Sequence, residues 1–284
     1  MVVIGVGLIG GSVAAALRRA GKVRRVIGVG RGRANIARAL ELGVIDDAVE
    51  DIAAAVKGAD AVLIAVPVQQ NPHVLGAFAD ALAPGTLVTD AGSTKQDFVA
   101  AVRRIAPQHL ASVVPGHPIA GAELTGVDAA SAALFDGRNV VLTPLEENQA
   151  AVVDRVEAMW QACGARVSRM TPERHDRVFS AVSHLPHMLA YTLVHMIATR
   201  ADAEALFGFA ASGFRDFTRI AGSSAEMWRD IALANRDALL ADIEAYQQEL
   251  AELAQCLRQA DGAEIERIFE AARCARNAWI RNGS

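Results

Sequence analysis

Over the first 170 positions, short apolar runs rich in β-branched residues alternate with longer stretches whose apolar positions recur at helical spacing. The runs fall at residues 1–4, 26–29, 61–66, 86–89, 112–114 and 139–142. Strand-length runs separated by helix-length segments predict βαβ units, and hence an α/β, Rossmann-like, doubly wound and mainly parallel sheet. Thr171-Pro172-Glu173 then supplies a capping hydroxyl, a proline and an acid in the order that opens a helix. Beyond it the pattern is helical, at 173–200, 203–207, 224–257 and 263–277. Glycine marks the same boundary, with 18 of its 23 copies before residue 170. We expect an α/β domain over 1–170 and an all-helical domain over 171–284.

Composition narrows the classes. Of 284 residues 52% are hydrophobic and 21% charged, the balance of an ordinary globular chain. The formal net charge of −4 offers no basic footprint for nucleic acid. The longest strongly apolar stretch, 61–68, falls short of the roughly 18 residues a membrane helix needs, and the start lacks a basic leader region. A cytoplasmic location without membrane contact is the expectation. Cys163, Cys256 and Cys274 are too few for a disulfide framework, and no paired-cysteine spacing suggests zinc. Residues 187–198 are apolar nearly all round, as in a helix buried within a bundle or between subunits. The final Asn282-Gly283-Ser284 reads as a frayed end.

The first strand runs straight into Gly5-Val6-Gly7-Leu8-Ile9-Gly10-Gly11 and an alanine-rich helical segment. Gly5 suits a tight turn, Gly7 lets the backbone approach a pyrophosphate, and Gly10 lets helix and strand pack closely. Leu8 and Ile9 open the helix whose N-terminal dipole faces the phosphates. In this strand-turn-helix context the pattern reads as a dinucleotide site. The residue that reads the ribose is due about 20 positions later, where Gly30 stands. Gly30 offers no carboxylate to the 2′-hydroxyl of NAD, whereas Arg31 and Arg33 suit the 2′-phosphate of NADP. NADP is the expected cofactor, with NAD as the alternative if these arginines are only solvated loop charges. Val66 and Pro67, at the end of another strand, are placed to wall the same crevice.

Two further strand ends carry polar clusters. Asp90, Ser93, Thr94 and Lys95 follow one, and are expected to face the crevice; Ser93 could equally cap a helix over 94–105. His117 follows the next, framed by Gly116 and Pro118, where a helix-face core role is excluded and proton transfer near neutral pH fits. In the helical part His184 and His187 are spaced i, i+3 on one face, and Pro186 is expected to kink that helix. The pair lacks the glutamate and third ligand of a metal site, so no metal is expected. Arg215, Arg219 and Trp228 lie in a glycine-interrupted stretch; an arginine there either clamps a substrate carboxylate or pairs with Asp216 or Asp230.

In combination these motifs resemble the prephenate/arogenate (cyclohexadienyl) dehydrogenases of tyrosine biosynthesis, over essentially the whole chain. The resemblance rests on residues 5–11, 90–95, 116–121, 183–187, 216–220 and Met227-Trp228. It implies a small-molecule substrate bound between a nucleotide domain and a helical dimerisation domain, and a homodimer formed through the latter. His117 would be the catalytic histidine on the substrate's ring hydroxyl, with Ser93 beside it. His184 would help bind or orient the substrate, and Arg219 would hold a carboxylate.

Family members often carry an acid where Gly30 stands, so NAD preference is not implied here. A fused mutase or regulatory domain is absent from these residues, and inhibition by tyrosine, a product-like ligand, stays compatible with the resemblance. Two rivals remain: a dehydrogenase or imine reductase on the same plan, and a non-catalytic NADP-sensing protein. Enzymes of the first kind rely on a lysine in the helical domain, and no lysine follows Lys95.

Overall fold

The computed structural model describes residues 1–121 and 126–281. Asn282–Ser284, the expected frayed end, lie outside the described residues. The chain divides into compact units at 1–236 and 237–284.

The first unit is built on a parallel sheet. Strands β1 (Val2–Ile4), β2 (Ile27–Val29), β3 (Asp47–Ala48), β4 (Ala61–Ile64) and β5 (Leu87–Asp90) pair in the order β3-β2-β1-β4-β5. Between them run α1 (Leu8–Arg19), α2 (Arg33–Glu41), α3 (Ile52–Val56) and α4 (Asn71–Phe78), with α5 (Gln96–Ile105) after β5. The central strands are continuously apolar because both faces are covered. Val3 and Leu63 point to one core, shared with Val13 and Leu17 of α1. Val2, Ile4, Val62 and Ile64 point to the other, with Leu75 and Phe78 of α4 and Phe98 of α5. The period-2 pleat divides each strand between these two cores.

A second sheet orders β6 (Gly116–Pro118), β7 (Asn139–Leu142) and β8 (Arg166–Arg169), with α6 (Ala150–Ala162) between the last two. β6 runs antiparallel to β7, setting His117 opposite Val141, and β7 runs parallel to β8. This corrects the strand expected at 112–114. Residues up to Ser112 form a 3-10 turn, and Val113 makes only an isolated bridge to Val88. The ladder is taken up instead by the polar triplet around His117, whose partner strand lies more than 20 positions ahead.

The helical part of this unit begins as the sequence predicts. Thr171 Oγ1 accepts the backbone N–H of Arg174 at 3.2 Å, and Pro172 occupies the first turn of α7 (Pro172–Phe179). A π-helical turn, Ser180–His184, separates it from α8 (Leu185–Ala198), so the expected continuous helix is offset before Pro186. α9 (Ala203–Gly208), α10 (Ser212–Thr218) and α11 (Ala225–Ala234) follow. α10 fills the stretch read as glycine-interrupted.

The expected single helix over 224–257 is broken at Asn235, giving α11 and α12 (Arg236–Gln259). The Asn235 side-chain amide donates to the backbone carbonyl of Asp176 at 2.8 Å, while its backbone N–H bonds the Ile231 carbonyl at 3.0 Å. The second unit consists of most of α12 together with α13 (Gly262–Arg281). Leu250, Leu257, Phe269 and Trp279 are exposed on these helices.

Candidate active site

The glycine loop between β1 and α1 has the geometry its residues demand. Gly5 has φ +96°, and a Cβ there would lie 2.3 Å from the carbonyl oxygen of Ala65. A Cβ on Gly10 would lie 2.2 Å from the oxygen of Gly5 and 2.8 Å from Val3 Cγ1. A Cβ on Gly7, at the N-cap of α1, would meet nothing within 4 Å. Two glycines are thus required by packing and the third faces open space at a helix N-terminus, where a pyrophosphate fits. Leu8 and Ile9 form the first turn, half-buried. The loop is held by Asn35, which donates to the Val6 carbonyl at 2.5 Å and accepts the Val127 N–H at 2.9 Å.

The loop opens on a cavity of about 740 Å³ that Gly30, Arg31, Arg33, Val66 and Pro67 also line. The structure therefore gathers Gly5, Gly7, Gly30, Arg31, Arg33, Val66 and Pro67 around one cavity, whereas Leu8, Ile9 and Gly10 lie in the first turn of α1 and do not line it. Glu50, not anticipated, lines the cavity too and pairs with Arg33 at 3.3 Å.

At the far end of β5 the sequence places four polar side chains in the crevice, and the structure corrects three of them. Asp90, Thr94 and Lys95 are fully buried. The Lys95 ammonium pairs with the Asp90 carboxylate and donates to the Gly116 carbonyl at 2.7 Å, while Asp90 accepts the Gly116 N–H at 3.1 Å. This buried ion pair ties the β5–α5 turn to β6. Ser93 is half-buried in that turn. It does not cap α5, which starts at Gln96 rather than at residue 94. The cap comes from Asp176, whose carboxylate accepts the N–H groups of Lys95 and Gln96, each at 2.9 Å.

His117 stands beside this turn, half-buried, with Nδ1 2.8 Å from Nε2 of His175. Phe179 covers both imidazoles, at centroid distances of 4.8 and 4.5 Å. His175 Nδ1 lies 2.8 Å from Asp176 Oδ1. Burial pushes the His117 pKa well below the ordinary histidine range, and His175, Lys95 and His184 push in the same direction. Neither His175 nor Asp176 is singled out by the sequence. The signal was the adjacent His-Asp pair in the first turns of a proline-started helix.

His184 is 1% exposed, and its Nδ1 lies 3.0 Å from the Asn235 amide nitrogen. Burial first, then His175 and His187, lower its pKa to about 4, against the opposing pull of Asp176. His187 is half-buried and stacks on Trp228. Trp228 itself is 7% exposed in a small cluster with Val68 and Ile231. Arg215 and Arg219 are exposed, and the positive charge of Arg219 is felt at His187. Asp230 is engaged by Arg229 at 2.6 Å. Among the described residues no group of three or more His, Cys, Asp or Glu side chains could hold a metal ion.

Two family models account for nearly all of the chain. Residues 13–169 match the nucleotide-binding domain of prephenate dehydrogenase, and residues 171–271 match its dimerization domain. The chain belongs to the prephenate dehydrogenase family. A prephenate dehydrogenase from Bacillus subtilis is 38% identical over 271 residues, which are 95% of this chain and 73% of that protein. A cyclohexadienyl dehydrogenase from Zymomonas mobilis is 36% identical over 244 residues, 85% of this chain and 82% of the relative. Among solved structures, prephenate dehydrogenase from A. aeolicus superposes with a TM-score of 0.89 at 34% identity, covering 98% of this chain and 97% of that one. That structure contains hydroxyphenyl propionate and NAD+. Membership of the prephenate dehydrogenase family thus covers both the α/β part that carries the glycine loop and the helices that carry His175, His184 and His187.

Proposed function

We propose that this chain catalyses the oxidative decarboxylation of prephenate, arogenate or both, giving 4-hydroxyphenylpyruvate or tyrosine, with NADP preferred over NAD. The observation that carries the reading is the placement of His117, half-buried beside the β5–α5 turn with Nδ1 2.8 Å from His175 Nε2 and the ring against Phe179. Burial lowers its pKa, which favours the neutral form a general base needs. In this reading His117 takes the proton of the substrate's ring hydroxyl. When bound, the nicotinamide supplies the acceptor for the hydride that leaves the same carbon. Loss of the ring carboxylate as carbon dioxide restores aromaticity.

The other residues take roles around that step. Gly7, Leu8 and Ile9 meet the pyrophosphate, Gly5 and Gly10 shape the loop that presents them, and Val66 and Pro67 wall the nucleotide. Gly30, Arg31 and Arg33 receive the 2′-phosphate. Ser93 acts beside His117 as the second catalytic group. Arg219, with Arg215 near it in sequence, meets a substrate carboxylate. His187 backed by Trp228 forms the wall of the substrate site, and His184 helps bind or orient the substrate.

The match of 171–271 to a dimerization domain supports a homodimer through the helical domain, taken as 171–284. So does α8, which is apolar nearly all round yet buries only Ala190 in one copy. Tyrosine, which resembles the product, would compete for the same cleft. No helix among the described residues is long and apolar enough to cross a membrane, in keeping with a cytoplasmic enzyme.

Steady-state turnover on prephenate and arogenate, each with NADP and NAD, tests the reading. Turnover in at least one combination is expected, with kcat falling at least about 100-fold in His117→Asn. Silence in all four combinations by a protein that still binds NADP would overturn it.

A further inference from the structure

Two hydrogen-bonded groups, His175 and then Asp176, lie in series behind His117. His175 and Asp176 are both 0% exposed, so each hydrogen bond they make is made without water to substitute for it. Asp176 is surrounded by donors: the N–H groups of Lys95 and Gln96 and the ring of His175. Burial alone would raise its pKa, but these hydrogen bonds outweigh it and hold the group below the usual carboxylate range. It is therefore ionised and accepts only.

The consequence propagates outward. An acceptor at Asp176 Oδ1 requires the proton of neutral His175 to sit on Nδ1, which leaves a lone pair on His175 Nε2. That lone pair, 2.8 Å from His117 Nδ1, requires His117 to carry its proton on Nδ1. The lone pair of neutral His117 is then on Nε2, the nitrogen turned away from His175. One carboxylate sets the tautomer of two rings in sequence. The same carboxylate caps α5, so the turn carrying Ser93 and the proton-accepting nitrogen are indexed to a single anchor on α7.

We propose that His175 and Asp176 are positioning residues that present His117 to the substrate in its Nδ1-protonated form. The substrate O–H bond breaks and a new N–H bond forms at His117 Nε2. The Nδ1–H of His117 stays hydrogen-bonded to His175 Nε2, and His175 and Asp176 keep their own protonation. The other groups facing His117 are Lys95, paired with Asp90, His184, whose own pKa burial lowers, and the uncharged Phe179 ring, and the first two lower the His117 pKa.

The inference rests on His117 as the base, so its test includes a measurement independent of turnover. Nitrogen-15 NMR of the His117 ring in the full chain should show Nδ1 protonated and Nε2 bare at neutral pH. In His175→Phe this preference should be lost. Turnover should fall about 100-fold in kcat with KM within about threefold. His175→Gln keeps an acceptor oxygen within reach of His117 and should recover at least tenfold of that loss. Should His175→Phe fail to fold, the ring signals of the unmodified protein and the kinetics of His175→Gln and Asp176→Asn carry the test.

A His117 proton on Nε2 in the unmodified protein overturns the relay, as does a folded His175→Phe with unchanged tautomer and kcat. If the chain turns over neither substrate, the functional reading fails while the ring signals still decide the relay.

Discussion

The indole of Trp228 and the imidazole of His187 stack with centroids 3.5 Å apart and planes 21° from parallel. Trp228 rests in turn on Val68, one residue beyond Pro67 at the nucleotide cavity, so one side chain links the cavity wall to the histidine face of the helical part. Trp228→Leu removes the stack and part of the cluster. It should lower stability by about 1–3 kcal/mol and raise KM for the substrate about tenfold, while Trp228→Phe keeps most of both. Thermal unfolding together with steady-state kinetics checks this, and an unchanged KM in Trp228→Leu would remove His187 from the substrate wall.

Gly7 and Gly10 occupy one motif for different physical reasons, and alanine distinguishes them. Gly10→Ala forces a methyl into the Gly5 carbonyl, and should cost about 3 kcal/mol or more or prevent folding. Gly7→Ala has room in the protein and an extended backbone, φ −107° and ψ −153°, so stability should stay within about 0.5 kcal/mol. Its methyl points into the space assigned to the pyrophosphate. The dinucleotide KM should therefore rise at least tenfold in a variant that unfolds at the normal temperature. Denaturant melts and cofactor titrations on both variants give the comparison.

What the sequence discloses follows the range of the interactions. The glycine loop is legible because turn, strand and helix lie within 20 positions, and His117 because its own neighbours exclude a helix. His175 and Asp176 are not legible, since their partners stand 58 and 80 or 81 positions away and only the fold unites them. The burial of Lys95 depends on Gly116, 21 positions on, so an apparently crevice-facing lysine is an internal tie. The helix break falls at Asn235, whose side chain bonds the carbonyl of Asp176, 59 positions back, and no local glycine or proline announces it. Val113 and Val114 look like a strand because they are apolar, but their burial is on the core side of a single bridge rather than in a ladder.

Cofactor choice should reside in Gly30, Arg31, Arg33 and Glu50. The Arg33–Glu50 pair is 89% and 82% exposed at its two side chains, so it is weak and Arg33 is available to a 2′-phosphate. Arg33→Ala should raise KM for NADP by about 10- to 100-fold, the loss of a charge-assisted contact, and change that for NAD by less than about threefold. Glu50→Gln, which removes the carboxylate lining that cavity, should favour NADP further. Gly30→Asp should shift preference toward NAD, because a Cβ there meets only the mobile end of Ile36, at 3.0 Å. Equal KM changes for both cofactors in Arg33→Ala would contradict this assignment.

The buried His184 makes the fold sensitive to acid. Its pKa falls from 6.5 to about 4 on folding, so between these values the unfolded chain binds the proton and the folded chain does not. Stability from this group is therefore complete above pH 6.5, declines as pH falls through the window, and is lost by about pH 4. The shift corresponds to about 3 kcal/mol. His117 and His175, whose pKa values are also lowered, act in the same sense, so the slope of the whole protein is steeper than one group accounts for. His184→Gln isolates the contribution: its oxygen can still accept the Asn235 amide, and it does not titrate. Urea unfolding at pH 7 and pH 4.5 should show the unmodified protein losing roughly 2–3 kcal/mol more than the variant. Parallel losses in the two proteins would mean that His184 is protonated in the fold and that the acid sensitivity lies elsewhere.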